Sequence, residues 1–160
     1  MDVTYHDGID IINKLAVELA KNEEILQFVQ NELTVSDKHY VYVGMNQQEP
    51  LPNETHLPMI NILGFHSDNT KEKNDRTISI LYQWQRKQLE QDTTETNLYK
   101  YVGFEQIEKF RDLVEKKARE ILKGFGKFYV ESESLECVKY PMWQTASMIT
   151  IMKHISSRGI

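Results

Sequence analysis

Five histidines, one cysteine and 24 acidic side chains are the groups of this 160-residue chain best suited to bind metals, move protons or attack carbonyls. His6, His39, His56, His66 and His154 include no HxH or HxxH pair, and none stands in an HExxH context, so the spacing carries no zinc signature. His66 and Asp68 could donate to a metal, but they lie in the polar run HSDNTKEKND, where such side chains serve turns. Cys137 is alone, without a CxxC partner or an adjacent base, and is expected as a small core residue.

Carboxylates are abundant but dispersed. Glu131, Glu133 and Glu136 are spread along a hairpin-like segment, and Asp92 and Glu95 sit in a polar stretch. A general acid and base need one cleft and environments that push their pKa values apart, and nothing in this spacing supplies either, so a solvated face is expected. Phosphate-binding GxxxxGK[ST], dinucleotide-binding GxGxxG and nucleophile-elbow GxSxG patterns are all missing. Gly124-Phe125-Gly126 follows a helical pattern instead of preceding one, the polarity of a cap and not of an anion cradle. The expectation is a protein without catalytic machinery, metal or cofactor.

Composition agrees with one ordinary folded domain spanning residues 1–160. The chain is 40% hydrophobic and 27% charged, near globular averages. Its net charge of −5 (19 basic against 24 acidic residues) gives no overall attraction to nucleic-acid backbones or anionic lipid. The densest cationic cluster, Lys116, Lys117, Arg119, Lys123 and Lys127, surrounds a helix end, where cations complement the dipole. A lone cysteine suggests a reducing compartment, and no basic-then-apolar leader or membrane-length apolar run is visible, so secretion by a standard signal is not expected.

The positioning elements follow from periodicity. Ile9, Ile12, Leu15, Ala16, Leu19, Ile25, Leu26, Val29 and Leu33 recur at helical spacing over residues 7–33, with Asp7 as an N-cap and Lys21-Asn22 kinking or dividing the element. His39 to Val43, ending at Gly44, predicts a short strand, and Pro58 opens another over Met59 to Phe65 that is apolar on both faces. A polar loop is expected at 66–75. Arg76 to Gln85 then alternates, with Ile78, Ile80, Tyr82 and Trp84 on one face. A second polar stretch, 86–97, is long for a connection and reads as a functional arm or a partly disordered segment.

Phe104, Ile107, Phe110 or Arg111, Val114, Ala118, Ile121 and Leu122 predict a helix ending at Gly124. Two more strands follow: the first begins at Lys127, and the last runs from Met142, with Trp143, Ile149 and Ile151 opposite Met142, Ala146, Met148 and Met152, as if covered on both faces. The class is α+β: a mixed or antiparallel sheet of about five strands covered by two helices, in the order α-β-β-β-α-β-β.

This layout resembles the tail terminator and tail-completion proteins, the head-tail joining proteins, of long-tailed bacteriophages and prophages. The residues carrying the likeness are the Ile9 to Leu33 helix, the strand entry Leu57-Pro58-Met59-Ile60-Asn61-Ile62, Ile78 to Trp84, the helix start Gly103-Phe104, and Tyr140-Pro141-Met142-Trp143. The likeness spans nearly the whole chain and is one of element order. It implies a virion assembly subunit that forms an oligomeric ring, often of six, at the head-proximal end of the tail, with itself and tail-tube or head-connector proteins as partners. It further implies residence in the host cytoplasm during assembly and then in the virion. In such a ring the polar loops would reach a neighbour, which makes Lys71, Lys73, Asp75, Arg76, Arg86, Lys87, Asp92 and Glu95 the candidate protein-interface residues.

Two other readings compete. Tyr82 and Trp84 on one strand face suggest a stacking platform for single-stranded nucleic acid, although their alternation fits a core face better. An enzyme with an unfamiliar site is the other, since small α/β domains host many chemistries.

Overall fold

In the computed structural model, residues 8–33, 36–45, 56–69, 73–91, 97–134 and 140–154 are described. The amphipathic N-terminal segment forms two helices, α1 (Gly8–Ala20) and α2 (Glu23–Glu32). Asn22 divides them. Its backbone is extended (φ −70°, ψ 121°), and its side-chain oxygen accepts from the Ile25 N–H at 3.0 Å, capping α2. Ile11, Ile12, Leu15 and Leu19 of α1 and Ile25 and Val29 of α2 are buried. The N-cap expected at Asp7 lies outside the described residues.

Five strands form one mixed sheet in the order β1-β2-β3-β7-β6, from β1 (Tyr40–Val43), β2 (Met59–Asn69), β3 (Lys73–Gln85), β6 (Lys127–Ser134) and β7 (Met142–His154). β1 runs parallel to β2, and every other neighbour is antiparallel. Two three-residue strands, β4 (Leu89–Gln91) and β5 (Tyr99–Tyr101), form a separate small hairpin, and α3 (Val102–Leu122) follows directly. The helices lie on one face of the sheet, α1 over β1 and β2, α3 over β3 and β7, and α2 against α3; Ile60, Ile62, Ile78, Ile80, Tyr82, Trp84, Ile149 and Ile151 share one core with Ile107, Phe110, Val114, Ala118 and Leu122 of α3. The α+β class and the mixed five-stranded sheet thus stand as expected.

Four expectations change. Of the polar loop expected at 66–75, residues 66–69 and 73–75 are strand instead: His66 pairs with Thr77, Ser67 with Arg76, Asp68 with Asp75 and Asn69 with Asn74. Ladder bonds are made by the backbone, so pairing continues past the point where apolar alternation, which reports burial, stops. The 86–97 stretch likewise contains β4, paired with β5 through Leu89 and Tyr101, Glu90 and Lys100, Gln91 and Tyr99. The positive φ after α3 falls on Gly126 (129°), because a single 3-10 turn over Lys123–Phe125 takes in Gly124. Finally, β7 is not covered on both faces, since Met148 is 43% exposed on the side away from the helices. The proline-containing connection of residues 46–55 and Cys137 lie outside the described residues.

Candidate functional site: an internal polar layer and an exposed aromatic end

Glu108, Arg111 and Glu115 recur at i, i+3 and i+7 on α3, a spacing that stacks them on one helix face. That face meets β7 and β6, so the three charges lie against Thr145, Ser147, Ser132 and Ser134. Ser132 Oγ donates to both Glu115 carboxylate oxygens at 2.8 Å, and Ser147 Oγ donates to one of them at 2.5 Å. The Ser147 proton is committed to Glu115, so Tyr82 OH, 2.9 Å away, is the donor to Ser147. Arg111 donates to Thr145 Oγ1, pairs with Glu108, and reaches Asp112 at 3.1 Å. Thr145 in turn donates to the Glu133 carbonyl at 2.6 Å, and Ser134 donates to Glu108.

The inner part of this layer is closed, while Ser132 and Ser134 on β6 are exposed. Tyr82, Thr145 and Ser147 are buried, as are Glu115 and Arg111, and burial pushes the Tyr82 phenol well above its ordinary pKa while the Ser147 hydrogen bond opposes the shift. Each hydroxyl proton of the layer has an acceptor inside the protein, and Ser132 and Ser147 also line a hollow of about 310 Å³ beside Glu131, Glu133, Ala146 and Met148. The arrangement fixes the tilt of α3 on the sheet. Tyr82 and Trp84, the candidate stacking platform, lie beneath the same helix, with Trp84 Nε1 donating to Gln106 Oε1 at 2.8 Å, and they offer no face to a base.

The basic cluster at the end of α3 is also partly internal. Lys117 is buried and joins Glu24 of α2 at 2.6 Å and Glu120 at 3.5 Å. The hydrogen bond to Glu24 raises the Lys117 pKa, and the same bond lowers that of Glu24. Among the described residues, no three His, Cys, Asp or Glu side chains converge on a metal position, and no helix is long and apolar enough to cross a membrane.

The opposite arrangement occurs one turn above, where the β4–β5 hairpin, the first turn of α3 and the start of β7 meet. Of eleven large apolar side chains exposed among the described residues, six are here, which makes this end the principal apolar surface: Leu89, Leu98, Tyr99, Tyr101, Phe104 and Tyr140. Its floor is Trp143. The indole lies 5.4 Å from the Tyr101 ring and 6.3 Å from the Tyr140 ring, centroid to centroid, with Tyr140 edge-on at 89°. Trp143 Nε1 donates to the Arg86 carbonyl at 2.8 Å, and Tyr140 OH donates to the Lys87 carbonyl at 2.6 Å. Gly103 permits the contact, since a Cβ there would stand 2.4 Å from the indole. Tyr99, Lys100, Tyr101, Phe104, Glu105 and Trp143 line a hollow of about 350 Å³.

The candidate interface residues divide between two places. Lys73, Asp75 and Arg76 belong to the outer half of the β2–β3 hairpin, and Arg86 and Lys87 to the root of the aromatic end. The ten-residue step from Arg76 to Arg86 spans about 33 Å of extended chain. Lys71, Asp92 and Glu95 lie outside the described residues. Arg86 and Lys87 do border the aromatic end, chiefly through their carbonyls. The aromatic residues themselves were not among the candidates, although Tyr99-Lys100-Tyr101, Phe104 and Tyr140-Pro141-Met142-Trp143 are visible clusters in the sequence.

Compared by sequence with known proteins, the chain matches no family model and no curated protein.

Proposed function

We propose that this protein is a structural assembly subunit that acts by binding other proteins through its aromatic end, as a tail terminator or neck protein would at the head-proximal end of a phage tail. The observation that carries the reading is the gathering of exposed Tyr, Phe and Leu side chains on the β4–β5 hairpin and the adjoining turn of α3. All residues of both short strands are exposed, and a two-stranded hairpin of this size is marginal by itself. Patches of this kind, rich in tyrosine and floored by tryptophan, have the composition of protein-binding hot spots. The resemblance of the element order to that of tail terminators is the second support, and it directs the reading toward a ring of copies facing a tail tube and a head connector.

Electron microscopy of the purified chain, alone and with tail tubes, tests this. Rings, or caps on tube ends, are expected. Particles that remain single and leave tube ends bare would overturn it.

A further inference from the structure

The five-stranded sheet ends in two strands that have no further strand partner among the described residues, β1 and β6. The hydrogen bonds fix which backbone groups each edge presents. Tyr40 N donates to Pro58 O at 3.0 Å and Gly44 N to Ile62 O at 2.8 Å, so the even-numbered residues of β1 face β2. Val41 and Val43 therefore turn their N–H and C=O groups outward. At the other edge, Arg86 N donates to Pro141 O at 3.0 Å, extending the register that pairs Gln85 with Met142. Odd-numbered residues of β7 thus bond to β3, and even-numbered ones bond to β6. Their partners Lys127, Tyr129, Glu131 and Glu133 turn inward, leaving Phe128, Val130 and Ser132 with outward groups.

Direction, face and charge agree with this phase. β1 and β6 run in opposite directions, so an identically oriented neighbour presents its β1 antiparallel to β6. Val41 and Val43 share the helix-covered side of the sheet with Phe128 and Val130, and Tyr42 shares the other side with Tyr129. Val43 and Tyr129 are 47% and 45% exposed, one on each edge.

We propose that copies of this chain join edge to edge, β6 of one antiparallel to β1 of the next, with Val130 opposite Val41. In that register Phe128 faces Val43, Tyr129 faces Tyr42, and Glu133 faces Lys38. Edge strands ordinarily repel pairing through charges such as Glu133, and here the neighbour supplies the complementary cation. The contact is head to tail, so it closes into a ring or continues as a filament. It names the joint for the assembly reading above and rests on that reading only for the ring.

Val41→Pro and Val130→Pro each delete an outward N–H that pairs with no strand among the described residues, and proline is tolerated on an edge strand. Native mass spectrometry of the full chain is expected to show multiples of 18.9 kDa for the unaltered protein and monomers for each variant alone, with unchanged circular dichroism. Mixing the two variants should give one-to-one pairs and nothing larger, because each retains one live edge. Lys38→Glu and Glu133→Lys leave the backbone alone: each alone should weaken assembly, and both in one chain should restore it. A V41P protein that still dimerises would mean that β6 pairs with itself, and would overturn the proposal. So would an unaltered protein that stays monomeric, or charge reversals without effect. Rings that persist in both proline variants overturn the edge joint and leave the ring reading intact. Edge-dependent filaments that never close support the joint and sink the ring.

Discussion

The middle of α3 turns Glu108, Arg111 and Glu115 into the sheet, whereas its first turn holds Phe104 outward beside Tyr99 and Tyr101. The two regions lie about one to three helical turns apart and share β7, through Thr145 and Ser147 below and Trp143 above. Ordinary expectation would reverse them, with charges wet and rings dry. Inside, each acid and hydroxyl of the layer has a partner within the chain, so the layer ties α3 to β6 and β7. Outside, the rings found partners on one side only. In these two regions the buried ionisable residues tie α3 to the sheet, and the rings stay exposed.

The strongest way to break this comparison is at Arg111, the buried cation of the polar layer. Arg111→Leu should leave Glu108 without its ion-pair partner and Thr145 without a donor, costing about 3–5 kcal/mol, the range for breaking a buried ion pair from one side. Denaturant unfolding would measure it. A loss below about 1 kcal/mol would place the pair among exposed ion pairs, which contribute little, and the layer would not be what fixes α3.

Next in size is Gly103→Ala. The added methyl would meet Trp143 Cδ1 and Nε1 at 2.4 Å and Arg86 Cβ at 2.9 Å, so the indole must leave the Arg86 carbonyl. Overpacking of this kind costs about 1–3 kcal/mol. Near-ultraviolet circular dichroism should report the displaced tryptophan, and association should weaken as the floor of the aromatic end shifts.

His39 sharpens the comparison as a buried group only half satisfied. Nε2 meets the Leu19 carbonyl at 2.7 Å, while Nδ1 is buried without a partner. Burial lowers its pKa from the ordinary 6.5, partly offset by the Leu19 bond. The unfolded chain therefore takes up a proton before the folded one does. Stability is complete above pH 6.5 and is lost as pH falls from there through the depressed folded value. Melting temperatures across pH 7.5 to 5 should decline, and His39→Phe should remove the part of that slope belonging to this ring.

Much of this architecture can be read from periodicity, because Ile78, Ile80, Tyr82 and Trp84 alternate where the helices cover them, and Ile107 to Leu122 repeat where α3 meets the sheet. The extension of β2 and β3 through Asn69 and Lys73 cannot be read so, since pairing there is a matter of backbone bonds between polar residues. The polar layer was hidden for a different reason. Glu108, Arg111 and Glu115 look like ordinary helix surface until Ser132, Thr145 and Ser147, from distant strands, are brought beneath them. Lys117 likewise needed Glu24, 93 positions away in sequence, to become internal. The aromatic end was legible as residue types and illegible as a place, for Tyr101 and Tyr140 meet only through the chain's fold.

The smallest expected change in stability is the most discriminating. Tyr99 is 58% and Phe104 47% exposed, so Tyr99→Ser and Phe104→Ser remove side chains that the isolated fold hardly uses. Each should shift unfolding by about 0.5 kcal/mol or less, as surface substitutions do. Binding to a tube end or connector should nevertheless fall steeply, because an exposed ring that is buried on docking contributes far more to the complex than to the monomer. Parallel measurements of unfolding and of binding decide the matter. Should the pair lower stability by several kcal/mol and leave binding intact, the aromatic end would be packing for the β4–β5 hairpin, and the contrast between a finished interior and an unfinished end would collapse.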